Sequence, residues 1–144
     1  MSNFNKVILR RIVEDGFNKH DNAMIAEIYP NCVYHSPTTG ELRGEAYRMY
    51  VASVFAAFPD GKWTIEDQLA EGDKVMTRWS FTGTHKGMFK GIAPTGRKVV
   101  MTGMVIDRVV EGRIVEEWEE FDALGTMRQL GVMPEVTVGG LVAA

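Results

Sequence analysis

Lys74-Val75-Met76-Thr77-Arg78-Trp79-Ser80-Phe81-Thr82-Gly83-Thr84 alternates in steps of two. Val75, Thr77, Trp79 and Phe81 fall on one side, and Met76, Arg78, Ser80 and Thr82 on the other. A period of two in β-branched and aromatic residues predicts a long strand with one face buried. Glu71-Gly72-Asp73 just before it is a turn, so residues 63–70 are expected as its hairpin partner. Downstream, residues 97–110 form a second long strand, Glu111-Gly112 a tight turn, and residues 113–121 a returning strand.

Upstream the period changes. Ile8, Ile12, Val13 and Phe17 are spaced as one helical face, with Arg10, Arg11, Glu14 and Asp15 between them, which predicts a helix over residues 4–18. Asp21 or Asn22 caps a short second helix through Ile28, and Pro30-Asn31 stops it. Residues 32–36 suit a short strand and residues 37–40 a loop. Tyr47, Val51, Val54, Phe55 and Phe58 follow the i, i+4, i+7, i+8, i+11 series of a buried helix face, and Pro59-Asp60-Gly61 ends it. Residues 124–130 form a last helical turn closed by Gly131. Residues 1–133 are expected as one domain, with residues 134–144 a loose tail or an interface arm. Helices followed by long antiparallel strands predict an α+β fold. A strongly twisted sheet must curl over the helices to cover their apolar faces, giving a cone with an internal apolar cavity.

Hydrophobic residues at 45% and aromatics at 10% supply a core, which excludes disorder as the main state. The longest apolar run, residues 51–58, is interrupted by Ser53 and too short to cross a membrane. Met1-Ser2-Asn3-Phe4-Asn5-Lys6 lacks the apolar stretch of a secretory signal, and the single cysteine, Cys32, excludes an internal disulfide. A cytoplasmic protein is expected. Sixteen Lys and Arg against nineteen Asp and Glu give a net charge of −3, with no basic surplus for nucleic acid.

Several chemistries lack their motifs. There is no phosphate loop, no G-x-G-x-x-G, no H-E-x-x-H and no G-x-S-x-G. His20, His35 and His85 are far apart in sequence, so no metal site is expected. Cys32 suits a buried structural position better than a nucleophile. Acid–base chemistry remains. In Glu116-Glu117-Trp118-Glu119-Glu120-Phe121-Asp122, alternation puts Ile114, Glu116, Trp118, Glu120 and Asp122 on one side and Val115, Glu117, Glu119 and Phe121 on the other. Most of these carboxylates suit a solvated strand face. Asp122, at the junction of strand and helix near the rim of the cone, is the candidate general base; the alternative is a cap for the following helix. Glycines at 83, 87 and 91 place His85 on a rim loop, where it can orient a carbonyl or carry a proton. Turn geometry is the alternative account of those glycines. His35 is a weaker candidate, and His20 is expected to be exposed.

Three groups of residues together carry a family pattern: Ala57-Phe58-Pro59-Asp60 with Glu71-Gly72-Asp73-Lys74-Val75; Gly83-Thr84-His85-Lys86-Gly87 with Gly91-Ile92-Ala93-Pro94-Thr95-Gly96-Arg97; and Gly112-Arg113-Ile114-Val115-Glu116-Glu117-Trp118 with residues 122–131. In order and spacing they resemble the SnoaL-like polyketide cyclases, or ester cyclases, of the NTF2-like superfamily, over residues 5–133. The resemblance implies a helix-filled α+β cone. It also implies closure of a ring in an aromatic polyketide ester by intramolecular aldol condensation, without metal or organic cofactor. By position, Asp122 matches the family's acid–base aspartate and His85 a pocket histidine. His35 stands where a polar pocket residue, often Asn, is usual.

The expectation is a cofactor-independent enzyme acting on a hydrophobic carbonyl compound, with Asp122 as base and His85 as donor. Trp79, Phe81, Met101, Met104 and Trp118 are expected to line the pocket, faced by Val51, Val54 and Phe55. The alternatives are a non-catalytic module of the same superfamily that holds or assembles around a small apolar ligand, and a related isomerase, dehydratase or hydrolase. Asp122 pointing into a cavity beside His85 would favour the enzyme. Both faces of residues 97–110 are apolar, with Val99, Met101, Val105 and Val109 opposite Val100, Met104, Ile106 and Val110. Both faces must therefore be covered, so a homodimer or homotetramer is expected.

Overall fold

The computed structural model describes residues 2–134, 137–139 and 141–142. Helix α1 (Ser2–Arg11) runs directly into a π-helical turn, Ile12–Phe17, closed by Asn18 N–H on the Val13 carbonyl at 2.9 Å. The helix expected over residues 4–18 is therefore present, with its last turns widened by one residue. Leu9 and Ile12 point into the core, while Arg10–Glu14 and Arg11–Asp15 pair weakly on the wet side at 3.7 and 3.8 Å. Helix α2 (Asn22–Ile28) starts on Asp21, whose carboxylate accepts from Met24 N–H at 3.0 Å, the usual N-cap arrangement.

The expected buried face of the third helix, α3 (Glu45–Ala57), is present in Tyr47, Val51 and Phe55, and Phe58 continues it just past the helix end. The strands are β1 (Val33–His35), β2 (Leu42–Arg43), β3 (Lys62–Glu71), β4 (Lys74–Thr84), β5 (Lys98–Val110) and β6 (Arg113–Phe121). They form one sheet in the order β2-β1-β6-β5-β4-β3. The β1–β6 pairing is parallel and every other pairing in this sheet is antiparallel. Glu111 and Gly112 both have positive φ, 50° and 75°, as a two-residue type I′ hairpin turn requires. A second, two-stranded ladder, β7 (Thr137–Val138) with β8 (Leu141–Val142), lies in the expected tail. Residues 135, 136, 140, 143 and 144 are outside the described residues.

The inner face of the sheet carries Val75, Thr77, Trp79 and Phe81 of β4 and Val99, Met101, Val105 and Val109 of β5, all buried. They pack in two apolar clusters. One joins α1, α2 and α3 to the β1 end of the sheet; the other gathers Phe58, Phe81, Phe89 and Leu130. The short helix α4 (Ala123–Gln129) docks through Gln129. Its amide accepts from Val100 N–H at 2.7 Å and donates to the Val100 carbonyl at 2.8 Å, taking the place of a neighbouring strand.

Two strands depart from the simple alternation: β3, where Glu66 is extra between Ile65 and Asp67, and β6. In β6, Asp107↔Glu117 and Arg108↔Glu116 are followed by Val109↔Ile114, so Val115 is an extra residue, a β-bulge. Ile114 therefore shares the inner face with Glu117, Glu119 and Phe121. The expected grouping of Ile114 with Glu116, Trp118 and Glu120 is corrected by that one residue.

Candidate active site

Between helices and sheet lies a cavity of about 110 Å³. Val13 and Phe17 of the π-turn, Tyr47, Tyr50, Val51 and Val54 of α3, and Trp63, Trp79, Phe81 and Met101 of the sheet are among its walls. Three carboxyl groups also line it: Asp107 of β5, and Glu117 and Glu119 of β6.

Glu119 is enclosed by protein yet keeps open surface toward the cavity. Tyr34 O–H donates to its Oε1 at 2.7 Å, and the Trp79 indole beside it also favours the ionised form. Burial disfavours the charged carboxylate and pushes its pKa up from 4.5 to about 7; Tyr34, Trp79 and the Lys90 ammonium hold it down. A carboxyl group that titrates near neutrality, inside an apolar cavity, has the property a general base or acid needs.

Lys90 sits near the Tyr50 side of this cavity. Its Nζ donates to Tyr50 O–H oxygen at 3.3 Å and lies 4.8 Å over the Tyr50 ring. Burial lowers the Lys90 pKa, with the charge of Glu119 opposing. Since Tyr50 receives that donation, its own proton remains available. Deeper in the cavity wall, Glu117 and Asp107 face each other across β5 and β6 and hydrogen-bond side chain to side chain. Tyr47 O–H donates to Glu117 Oε1 at 2.8 Å. Burial is the main cause that raises both carboxyl pKa values, and the charge of Glu119 adds to it.

The residues expected from sequence are divided by the fold. Trp79, Phe81, Met101, Val51 and Val54 line the cavity. Phe55 is buried beside it, stacked on His20 with ring centroids 4.5 Å apart; that stack also half-covers His20, expected to be exposed. Met104 and Trp118 face the opposite side of the sheet, 51% and 36% exposed, because the alternation of β5 and β6 sends them outward. His35 is there too, its ring stacked on Trp118 at 5.6 Å and its Nε2 on Glu116 at 2.8 Å. These three line a shallow outer groove with Met76 and Ile106.

Asp122 and His85 are not brought together over the cavity. Asp122 is exposed and is the N-cap of α4, its Oδ1 accepting from Gly125 N–H at 2.8 Å. The strand ends at Phe121, so the residue after it turns out to begin the helix. His85 is fully buried beneath the rim loop, against Phe58 and Phe89. Its Nδ1 accepts from Thr95 N–H at 3.2 Å and meets Thr95 Oγ1 at 3.0 Å, which places the ring proton on Nε2. Backbone bonds to Arg97 O and from Gly96 N–H, both 2.9 Å, make His85 the clasp of the loop it begins.

Glu119, Glu117, Asp107, Tyr34, Tyr47 and Tyr50 are the functional candidates that the sequence reading passed over. A signal existed for two of them. Glu117 and Glu119 alternate with Trp118, on the same side as Phe121, and that side is the inner one.

Residues 7–130 match the family described as SnoaL-like polyketide cyclase. The chain is 32% identical over 132 residues to the aklanonic acid methyl ester cyclase DnrD of Streptomyces peucetius, covering 86% of this chain and 88% of that one. Among solved structures, AclR of Streptomyces galilaeus, suggested to be a hydroxylase, superposes with a TM-score of 0.85 at 28% identity, covering 95% and 91% of the two chains. IdmH of Streptomyces antibioticus, suggested to be a polyketide cyclase, gives 0.75 at 34% identity, covering 88% and 98%.

Proposed function

The chain belongs to the SnoaL-like polyketide cyclase family and is an enzyme of that type, and we propose that it closes a ring in a hydrophobic polyketide ester with Glu119 as its acid–base group. Ionised Glu119 takes a proton from the carbon next to a carbonyl. The C–H pair becomes an enolate, and the Tyr50 hydroxyl, backed by Lys90, donates to the enolate oxygen. The enolate carbon attacks a second carbonyl of the same molecule, a C–C bond forms, and the C=O π pair becomes an alkoxide. The proton held by Glu119 returns to that alkoxide. Protons balance within the step, which calls for no metal or organic cofactor.

The observation that carries this reading is a carboxyl group held at about 7 by burial in an apolar cavity. Glu119 thus takes the role that the sequence reading gave to Asp122, and Tyr50 the role given to His85. The test is incubation with aklanonic acid methyl ester, the ester named for two relatives, followed by chromatography and mass spectrometry. The parent and Asp122→Asn should form the cyclised product. Glu119→Gln should be slower by about 10²–10⁴-fold, the usual worth of a general base. Parent-like turnover by a folded Glu119→Gln variant would remove Glu119 from the mechanism.

We further infer that a second copy of the chain covers the outer face of the sheet. Val100, Met104, Ile106, Val110 and Trp118 are exposed there, and an apolar patch on a sheet face is a usual site of association. No described helix is long and apolar enough to cross a membrane. The single cysteine, fully buried as a thiol, suits the reducing cytoplasm.

A further inference from the structure

The chamber is smaller than the ligand that the cyclase reading gives it. A cavity of about 150 Å³ takes one benzene, and clefts that hold a drug-sized ligand start at about 300 Å³. The cavity here is about 110 Å³, room for a single ring, while a polyketide ester with a ring still to close is longer. One wall must therefore yield. Helices and sheet are held by their own ladders of backbone bonds. The rim loop is pinned only at its base, where Lys86 and Gly87 N–H donate to the Ala57 carbonyl at 2.9 and 3.1 Å and His85 N–H to the Arg97 carbonyl at 2.9 Å. At its tip, Phe89 and Ile92 exchange backbone bonds at 3.0 and 2.8 Å, around a two-residue turn in which Lys90 and Gly91 have φ of 47° and 79°. Among the described residues, a single hydrogen bond ties residues 88–94 to the rest of the chain: Lys90 Nζ to the Tyr50 hydroxyl, at 3.3 Å.

We propose that the Phe89–Ile92 turn is a gate that swings out to admit the substrate and sets the size of ligand the site accepts, with Phe89 as its plug and Lys90 as its latch. Phe89 is 4% exposed, lines the cavity and meets Phe58 edge to face at 5.1 Å. Moving its ring outward removes a wall and breaks no bond of any strand or helix. The latch joins three elements. From the loop, Lys90 Nζ lies 4.8 Å over the Tyr50 ring of α3 and 5.6 Å over the Phe121 ring of β6, and both rings line the cavity. The tie is weak: one long hydrogen bond and cation–π contact at a half-buried site. Exposing one aromatic side chain is a cost that leaves an open state populated at about the per cent level, as suits a lid. Closing over the substrate re-forms the Lys90–Tyr50 contact that the ring-closing step uses. The gate rests on the cyclase reading for the size of its ligand and on nothing in the acid–base chemistry.

The test is the rate of ligand exchange, independent of turnover. Pyrene-1-methanol, neutral and larger than the closed cavity, is mixed with the protein in stopped flow. Entry is read by quenching of tryptophan fluorescence, since Trp63 and Trp79 line the cavity, and release by dilution. Lys90→Met keeps the stem and removes the latch. The latch holds the gate shut with or without ligand, so its loss should speed entry and release alike, each about tenfold, the worth of a hydrogen bond from a charged group, and leave Kd nearly unchanged. Loss of an ordinary ligand contact would speed release alone. Phe89→Ala should speed entry too, and raise affinity for pyrene-1-methanol relative to benzyl alcohol several-fold. Where circular dichroism shows that a variant does not fold, Tyr50→Phe removes the hydroxyl from the same latch and Phe89→Leu trims the same plug, and each should act in the same direction. Faster release with unchanged entry, or both rates unchanged in a folded latch variant, would overturn the gate. So would a parent that binds benzyl alcohol and never pyrene-1-methanol, or a folded Phe89 variant with the entry rate and size preference of the parent. Unmoved rates in a protein that cyclises the ester overturn the gate and leave the cyclase reading intact; the expected rates in a protein that closes no ring do the reverse.

Discussion

The hydroxyl of Tyr34 donates to Glu119 across 2.7 Å although 85 residues separate them in the chain. The parallel pairing of β1 with β6, which sets Tyr34 opposite Glu117, makes the contact. A donor on a short strand thus holds the carboxylate of a long one.

Tyr34→Phe removes a bond that favours the ionised form, so the Glu119 pKa rises further. The ascending limb of the pH–rate profile should move up from about 7 by roughly one unit, since a hydrogen bond to a charge is worth about 1.5–3 kcal/mol and a unit about 1.4. Initial rates across a buffer series measure it; a limb that stays in place dissociates Tyr34 from the base.

Stability should carry the same signature. The folded-state pKa of Glu119, about 7, lies above its ordinary 4.5, so between those values the folded chain binds more protons than the unfolded one. This contribution is fully present below about 4.5 and is lost as pH rises through 7. Glu119→Gln cannot lose it. The stability advantage of that variant over the parent should grow between about pH 5 and pH 8, by on the order of 2–3 kcal/mol at most. Denaturant melts at both pH values decide, and a constant difference would mean that Glu119 ionises freely.

Asp122→Ala should cost about 1 kcal/mol through loss of the α4 cap, with Asp122→Asn close to the parent in both stability and rate. Should folded Asp122→Asn lose a hundredfold in rate, the acid–base role returns to Asp122.

Gly103→Ala should destabilise the fold by about 1–3 kcal/mol. A Cβ there would stand 2.8 Å from both the Glu120 carbonyl and the Trp79 indole Cε2, and the Trp79 indole favours ionised Glu119. Thermal melting reads the cost. An unshifted midpoint would show that the indole yields freely.

Met104→Lys with Ile106→Glu should turn the expected dimer or larger assembly into monomers, by light scattering at micromolar concentration. A parent that is itself monomeric at that concentration leaves the apolar outer face without this explanation.

Most of the fold was legible because long strands and amphipathic helices announce their period. Lys74–Thr84 and Arg113–Phe121 appear with the bounds expected of them, and the helix at Glu45–Ala57 differs by one residue. Leu42–Arg43 is too short to show any period. The π-turn at Ile12–Phe17 changes a hydrogen-bond offset while leaving the apolar spacing almost as it was.

The cavity was half legible. Trp79, Phe81 and Met101 point inward by simple alternation. Carboxylates at 117 and 119 were assigned to solvent because charge ordinarily faces water, and it took Tyr34, Tyr47 and Trp79, from three other elements, to make them tolerable inside. His85 and Asp122 drew attention as polar residues at the ends of strands. One turned out to clasp a loop and the other to begin a helix, local duties that depend on Thr95 and Gly125.

Val115 makes the chemistry a matter of parity. An odd residue in β6 lets Ile114 seal the hydrophobic end while Glu117 and Glu119 present acid to the chamber. Straighten the bulge with Val115 kept and the strand must choose: keep Ile114 inside and turn Trp118 and two glutamates the wrong way about, or keep Glu117 and Glu119 inside and expose the seal. The reading frame of a single strand, counted in twos, therefore constrains descent more tightly than the identity of Val115 itself, which any residue able to sit in a bulge can replace.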